Sequence, residues 1–277
     1  MDDITIITAY CIVADTLHAL GHRSDPRAPV SDAEVLWIAI VSAMYFQNHH
    51  QRTLWVLHQT RWLSQPLSPS RFNRRLHALA SWLEFLPQLV GQLFGQHEAY
   101  IIDSMPVPVC ELARAPRCRK LRGSDSLAFF GRCAAKRRHF FGWRLHLIVS
   151  ADGIPVSFQL LPASFHDLTA LQELTWELPN GVTLYGDAAY ISAALQRALR
   201  ATVRRPHGVD VVARHRKNMR PNTWLEREGL RAHRQRVETV NAQLTAMGVQ
   251  RLHARTDAGL ALKVLASLFA VACINLN

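Results

Sequence analysis

The N-terminal third of the chain carries apolar side chains at the spacing that is typical of amphipathic helices. Apolar residues recur every three or four positions, and prolines or glycines separate one segment from the next. Ser31 stands three residues before Glu34, which is the arrangement of a capping box at a helix start. Helices are predicted over residues 4–20, 31–46, 51–63 and 70–86, within a helical region that covers residues 1–97.

From residue 99 the pattern changes to short apolar runs bounded by turn residues, which predicts strands. Strands are predicted over 100–103, 140–150, 154–161, 182–185 and 202–205, and helices over 167–178, 191–200, 226–247 and 258–274. The hairpin signal Asp152-Gly153 makes the first three strands an antiparallel meander. The alternation that follows predicts parallel strands joined by right-handed crossovers. This α/β order is the plan of a ribonuclease H-like mixed sheet, predicted for residues 98–277.

Three acidic residues stand where such a sheet concentrates chemistry. Asp103 ends the first predicted strand and Asp187 ends the fourth, and these strands are parallel neighbours whose carboxyl ends share one edge. Glu238 lies on a polar face of the long predicted helix, beside its buried stripe, so the helix can bring it to that edge. Neighbouring carboxylates repel, and a divalent cation relieves the repulsion. Oxygen ligands suit Mg²⁺, with Mn²⁺ as a substitute.

Each of these acids also has a plain structural interpretation. Asp103 precedes a proline-containing segment and fits a turn, Asp187 fits the cap of the next helix, and Glu238 fits a solvated helix face. Their joint placement at one sheet edge favours the catalytic interpretation.

The charge of the chain points to a polyanionic partner. Lys and Arg number 32 against 21 Asp and Glu, for a net charge of +11, and a field of this sign attracts nucleic acid. Between residues 114 and 144 the only acid is Asp125. The residues predicted to contact DNA are Arg71, Arg74, Arg75, Lys136, Arg137, Arg138, Arg216, Lys217 and Arg234. The alternatives are an ordinary solvated helix or loop, a charge-protected edge strand, and, for Arg234, orientation of Glu238.

Other classes of protein are disfavoured by the sequence. The 5 cysteines form no C-x-x-C pair, which argues against a disulfide framework or a zinc site. Asp2 and Asp3 occupy the place of a basic signal-peptide region, and Lys263 interrupts the last apolar helix. We therefore expect a soluble, cytoplasmic protein.

Seven segments resemble the DDE transposases of bacterial insertion sequences, most closely insertion-sequence family 982. They are 70–77 (SRFNRRLH), 102–110 (IDSMPVPVC), 135–142 (AKRRHFFG), 152–156 (DGIPV), 164–167 (SFHD), 185–190 (YGDAAY) and 237–240 (VETV). The resemblance implies a ribonuclease H-like fold, Mg²⁺, and a catalytic, metal-binding triad of Asp103, Asp187 and Glu238. Related transposases carry a Tyr, Arg, Glu, Lys signature, of which this chain keeps Arg234 but has Arg231 and Thr245 at the outer positions.

The function expected from the sequence is DNA transposition. The enzyme would cleave transposon ends and transfer the 3′-hydroxyl strand to target double-stranded DNA by a two-metal-ion mechanism, as a homodimer on DNA. Two alternatives stay open: a ribonuclease H-like nuclease without strand transfer, and a catalytically inactive DNA-binding regulator.

Overall fold

A computed structural model describes residues 2–118, 120–121, 126–133, 137–165, 167–174, 178–192, 197, 199, 208–215 and 219–276. The helices are α1 (Asp3–Ala19), α2 (Asp32–Phe46), α3 (His50–Gln59), α4 (Pro69–Ala78), α5 (Ala80–Phe94), α6 (Asp167–Leu174), α7 (Trp224–Ala246) and α8 (Asp257–Leu276). The strands are β1 (Ala99–Cys110), β2 (Phe130–Cys133), β3 (Arg138–Ser150), β4 (Pro155–Pro162), β5 (Val182–Gly186) and β6 (Val209–Ala213). The chain forms two compact units, Met1–Leu89 with Gln243–Asn277, and Val90–Ala242.

The first unit is a helical assembly around α2 and α8, which pack against each other. The predicted capping box is present, because the Ser31 hydroxyl accepts from the backbone N–H of Glu34 and the Glu34 carboxylate accepts from the backbone N–H of Ser31. Both core helices are apolar around most of their circumference and need cover on several sides. The domain boundary predicted after residue 97 differs from the division into compact units, because residues 243–277 group with the N-terminal helices.

Helix α8 is long and apolar enough to cross a membrane by length and composition, although most of it is buried inside the first unit. Its charged residue is accommodated within that unit. The Lys263 ammonium donates to the backbone carbonyls of Asn48 and His253 at 2.9 and 2.8 Å. The buried Asn48 amide in turn donates to the Met247 carbonyl and to the Ser267 hydroxyl, both at 3.0 Å.

The second unit contains the predicted mixed sheet. Its strand order is β2-β3-β1-β5-β6, with β4 also paired to β3. The pairs β1–β3 and β3–β4 are antiparallel, and the pairs β1–β5 and β5–β6 are parallel. Helix α6 packs on β3 and β4. The core beneath it includes Tyr100, Ile102, Leu171, Leu184 and Tyr190.

Strand β1 is longer than the sequence predicted. Asp103 lies within β1, which continues to Cys110 in antiparallel register with β3. Pro106 and Pro108 do not end the strand. Because they are two residues apart, both ring nitrogens face the same edge of β1, and this is the edge away from β3. Parallel pairing of β1 with β5 reaches only Ile101, and the prolines lie beyond it.

Other predicted elements shift or fall outside the description. The last strand of the sheet is β6, whereas the predicted strand at 202–205 lies outside the described residues. The predicted helix at 191–200 lies largely outside them as well, and the helix predicted over 167–178 is described as far as Leu174. Strand β2, which pairs with the start of β3, was not predicted.

The imidazole of His50 is packed between α3 and α4. Its Nδ1 lies 3.0 Å from the Asn73 amide oxygen, and its ring meets Phe72 edge-on at a centroid distance of 4.9 Å. Burial, and then the positive charge of Lys263, lower the pKa of His50 from 6.5 to about 4. A histidine in this environment is held neutral in the folded protein.

The first prediction concerns the pH dependence of stability. Because the folded pKa of His50 lies below the unfolded value, the unfolded chain binds more protons between these two values. The contribution of neutral His50 to the free energy of unfolding is fully present above about pH 6.5 and is lost as the pH falls toward 4. Between pH 7 and pH 5 we expect the free energy of unfolding of the wild type to fall by about 2 kcal/mol more than that of a His50→Gln variant. Urea unfolding at both pH values measures the difference. The exposed His18→Gln on α1 is the control, and equal pH dependence of His50→Gln and wild type would contradict the assignment.

Candidate active site

Asp103 is held on β1 by one hydrogen bond to each carboxylate oxygen. The backbone N–H of Ser104 donates to Oδ1 at 2.8 Å, and the Asn241 amide of α7 donates to Oδ2 at 2.7 Å. Burial raises the pKa of Asp103 to about 6, and the negative charges of Asp187 and Asp167 act in the same direction. The ionised form of Asp103 is therefore destabilised by its surroundings.

Asp187 follows β5 directly, on the strand that is the parallel neighbour of β1. Its Oδ1 accepts from the backbone N–H of Ala189 at 2.7 Å and caps the short 3₁₀ helix Ala188–Tyr190. Asp187 thus has a capping role, although the element that it caps is this 3₁₀ turn and not the helix predicted over residues 191–200. Capping leaves the side chain exposed, and it still lies close enough to raise the pKa of Asp103. The two aspartates share one edge of the sheet, as their strand order predicted.

Helix α7 is docked on this edge at two places. Near its start, His233 stacks on Tyr185 at a centroid distance of 4.7 Å, and Gly229 lies so close to Tyr185 that a Cβ would be 2.5 Å from the hydroxyl oxygen. Further along, Asn241 binds Asp103. The stretch between these contacts carries Arg234 and Glu238, which fixes their distance from both aspartates.

The Glu238 carboxylate pairs with its own helix. Arg234 Nε donates to Glu238 Oε1 at 2.8 Å, and the two side chains are 62% and 58% exposed. The bond to Glu238 raises the pKa of Arg234, and the charges of Asp103 and Asp187 raise it further. Of the two roles predicted for Arg234, orientation of Glu238 is the one seen here.

The aspartate pair offers the kind of oxygen ligands that suit a divalent cation. Asp103 and Asp187 offer hard carboxylate oxygens, and their uncompensated charge is what a doubly charged ion relieves. Within the described part of the chain, however, no three His, Cys, Asp or Glu side chains lie close enough together to hold a metal ion. The structure therefore brings Asp103 and Asp187 together, with Glu238 nearby but engaged elsewhere.

Asp167 also lies at the site, close enough for its charge to raise the pKa of Asp103. It is the first residue of α6, and its Oδ1 accepts from the Ser104 hydroxyl at 3.0 Å. Arg144 Nη1 donates to the same hydroxyl at 3.3 Å and lies 4.0 Å from Asp167. The sequence signal was its place in the SFHD segment. His166, the neighbouring candidate, lies outside the described residues.

Two further buried groups near the aspartates are uncharged at neutral pH. His146 Nδ1 lies 3.6 Å from Asp167 Oδ1 in a fully buried position. Burial, and then the charge of Arg144, lower the pKa of His146 to about 4. Burial also raises the pKa of Tyr190 well above its usual value, and the nearby aspartates add to the rise. Neither side chain cancels the negative charge of the site.

The predicted DNA-binding residues fall into different groups. Arg71 and Arg74 are exposed on α4, and Arg137 and Arg138 are exposed at the start of β3. Arg75 instead donates to the Val30 carbonyl at 2.5 Å and to the Asp32 carboxylate at 2.6 Å, so its guanidinium holds the first unit together. Lys136, Arg216 and Lys217 lie outside the described residues.

Comparison with known proteins agrees with this geometry. The family model described as a transposase DDE domain matches residues 94–257, which is more than half of the chain. The chain belongs to the DDE-domain transposase family. The matched range contains Asp103, Asp187 and Glu238.

One solved structure supports the fold of this DDE transposase. A cryo-EM structure of a piggyBac transposase synaptic complex with hairpin DNA has a TM-score of 0.53 at 11% identity, covering 98% of this chain and 73% of that chain. A Mos1 transposase paired-end complex with left transposon end has a TM-score of 0.25 at 11% identity, covering 82% of this chain and 81% of that one. No curated protein sequence matches the chain. The piggyBac likeness supports the ribonuclease H-like fold that the strand order predicted.

The second prediction tests the contact between α7 and β5 in this transposase. Alanine is a better helix former than glycine by about 1 kcal/mol, yet we expect Gly229→Ala to lower the free energy of unfolding by about 1 kcal/mol, since its Cβ overpacks the site. The collision is with the Tyr185 ring, at 2.5–2.7 Å. Urea unfolding followed by circular dichroism measures the change. The double variant with Tyr185→Leu should lose less than the sum of the two single variants. A stabilised Gly229→Ala protein would contradict the close packing.

Proposed function

We propose that this DDE transposase cleaves the ends of a DNA transposon and transfers the resulting 3′-hydroxyl strand to target DNA, and that it belongs to insertion-sequence family 982. The observation that carries the proposal is the Asp103–Asp187 pair on neighbouring parallel strands, with the Glu238 helix docked against it by Asn241. The segment resemblance around these residues supports the narrower family.

Asp103, Asp187 and Glu238 are the proposed metal ligands, with Mg²⁺ as the ion and Mn²⁺ as its substitute. Two such ions, when bound, supply positive charge that activates the attacking oxygen and stabilises the leaving oxygen. Asp103 is suited to this role because its burial and its anionic neighbours raise its affinity for positive charge. Glu238, whose Oε1 accepts from Arg234, would be the third ligand.

Arg234 then has a second task at the same place. Its guanidinium lies within electrostatic range of both aspartates and is 62% exposed, so once released it can bind a phosphate of the strand at the site. Arg71, Arg74, Arg137 and Arg138 are the exposed residues proposed to contact the DNA backbone elsewhere. Trp224 is 66% exposed at the start of α7, which suits stacking on an unpaired base better than packing.

The proposed partner is double-stranded DNA, at transposon ends and target, bound by a homodimer in the cytoplasm. The exposed apolar side chains on α1, Ile4 at 69% and Ile7 at 50%, offer a surface for subunit pairing. The net charge of +11 supports binding to DNA.

The third prediction concerns the triad. With Mg²⁺, wild-type protein should nick labelled duplexes that carry the two flanks of its coding sequence, and should join the new 3′-hydroxyl ends to plasmid DNA. Asp187→Asn keeps the size and the cap acceptor but removes the ligand charge, so both activities should fall at least ~100-fold while DNA binding stays within about twofold. Gel assays of cleavage and joining, beside a gel-shift titration, give the three readouts.

The outcomes separate the competing functions. Nicking without joining would favour a nuclease, and DNA binding without nicking, with or without metal, would favour an inactive regulator. Equal nicking by wild type and Asp187→Asn would remove Asp187 from the catalytic set.

The fourth prediction concerns the phosphate contact of Arg234. Each phosphate contact contributes about 0.9 to the slope of log affinity against log salt. Arg234→Gln should therefore reduce the slope by about that amount. Arg236→Gln is the matched control, since it removes the same charge from the same helix about 200° away around the axis. Equal slopes for the two variants would show that Arg234 binds no phosphate.

A further inference from the structure

We propose that Asn241 is a positioning residue of the reaction, which holds the Asp103 carboxylate in the orientation that receives the metal ion. This inference rests on the proposed function and adds a residue that lies outside the acidic triad. It is carried by the 2.7 Å hydrogen bond between Asn241 Nδ2 and Asp103 Oδ2.

The bond fixes a side chain that otherwise has freedom to rotate. The Asp103 carboxylate receives one donor on each oxygen, Ser104 N–H on Oδ1 and the Asn241 amide on Oδ2. Two donors on opposite oxygens define the plane of the carboxylate. Since a carboxylate oxygen has two lone pairs, each oxygen keeps one for a further ligand.

A neutral donor has a specific advantage at this position. A lysine or arginine in place of Asn241 would orient Asp103 but would also cancel its charge and compete with a cation. The Asn241 amide orients the group and leaves the full negative charge for a metal ion. The nearby His146 is also kept neutral by burial.

The bond also sets the position of the third acid. Glu238 and Asn241 are three residues apart on α7 and share a face of the helix. Joining Asn241 to β1 therefore restricts where the neighbouring Glu238 can lie. The second attachment, His233 and Gly229 against Tyr185, prevents α7 from pivoting about this bond. Asn241 consequently acts on two of the three proposed ligands.

The fifth prediction tests this role with Asn241→Leu, which keeps the branched shape of the side chain but removes the donor. We expect DNA binding within about twofold of wild type, cleavage at saturating DNA at least ~10-fold slower, and a dissociation constant for Mn²⁺ at least ~3-fold higher, because the ligand is no longer oriented. Mn²⁺ binding is measured by electron paramagnetic resonance, independently of activity. Gln235→Leu removes an exposed amide from the same helix and should match wild type in all three measurements.

The alternatives give different results. Asn241→Leu with normal Mn²⁺ binding and cleavage would overturn the inference while the proposed function stands. If Asn241→Leu does not fold by circular dichroism, Asn241→Ser replaces it, and a Ser variant with wild-type Mn²⁺ affinity and cleavage rate has the same meaning. Wild-type protein that binds no Mn²⁺ and cleaves no DNA would overturn both proposals. Weaker Mn²⁺ binding by the Asn241 variant alongside a wild type that nicks but does not join would support the inference and limit the function to hydrolysis.

Discussion

The burial of an acidic side chain, Asp103, beside a second acidic residue is the constraint on which the rest of the sheet edge depends. Burial raises the pKa of Asp103 to about 6, and the negative charge of Asp187, which follows the neighbouring parallel strand, acts in the same direction. A core designed for stability alone would remove one of these groups. Two acidic groups at the edge where α/β sheets bind ligands make this edge the candidate active site.

The surroundings of the aspartates orient them without neutralising them. Backbone N–H groups, the Asn241 amide and the Ser104 hydroxyl supply hydrogen bonds, while His146 is held uncharged. Arg234 lies in range of both aspartates, and its ion pair with Glu238 is exposed to solvent. An exposed ion pair of this kind contributes little to stability and can be exchanged for a stronger partner. The hydrogen bonds to Asp103 therefore orient its carboxylate through neutral donors.

Much of the fold was readable because local spacing dictates it. The helical periodicity of the first 86 residues predicted the N-terminal helices correctly. The hairpin at Asp152-Gly153 and the later alternation of strands and helices predicted the mixed sheet. The length of β1 was not predicted, because prolines are acceptable on a strand whose second edge is unpaired, and sequence does not reveal which edges are paired. The grouping of residues 243–277 with the N-terminal helices was missed for a related reason, since an apolar helix shows that it is buried but not by what.

The sequence by itself determined that Asp103 and Asp187 meet, since each sits on an apolar run whose order in the sheet follows from connection rules. It also determined that Arg234 and Glu238 share a helix face, because residues four apart are neighbours on any helix. Only the tertiary structure decided that Asn241 binds Asp103 across 138 residues of chain and that Asp167 binds Ser104 across 63. Such bonds leave no periodic trace in the sequence, because they depend on how α6 and α7 pack against β1 and not on the spacing of residues within one element.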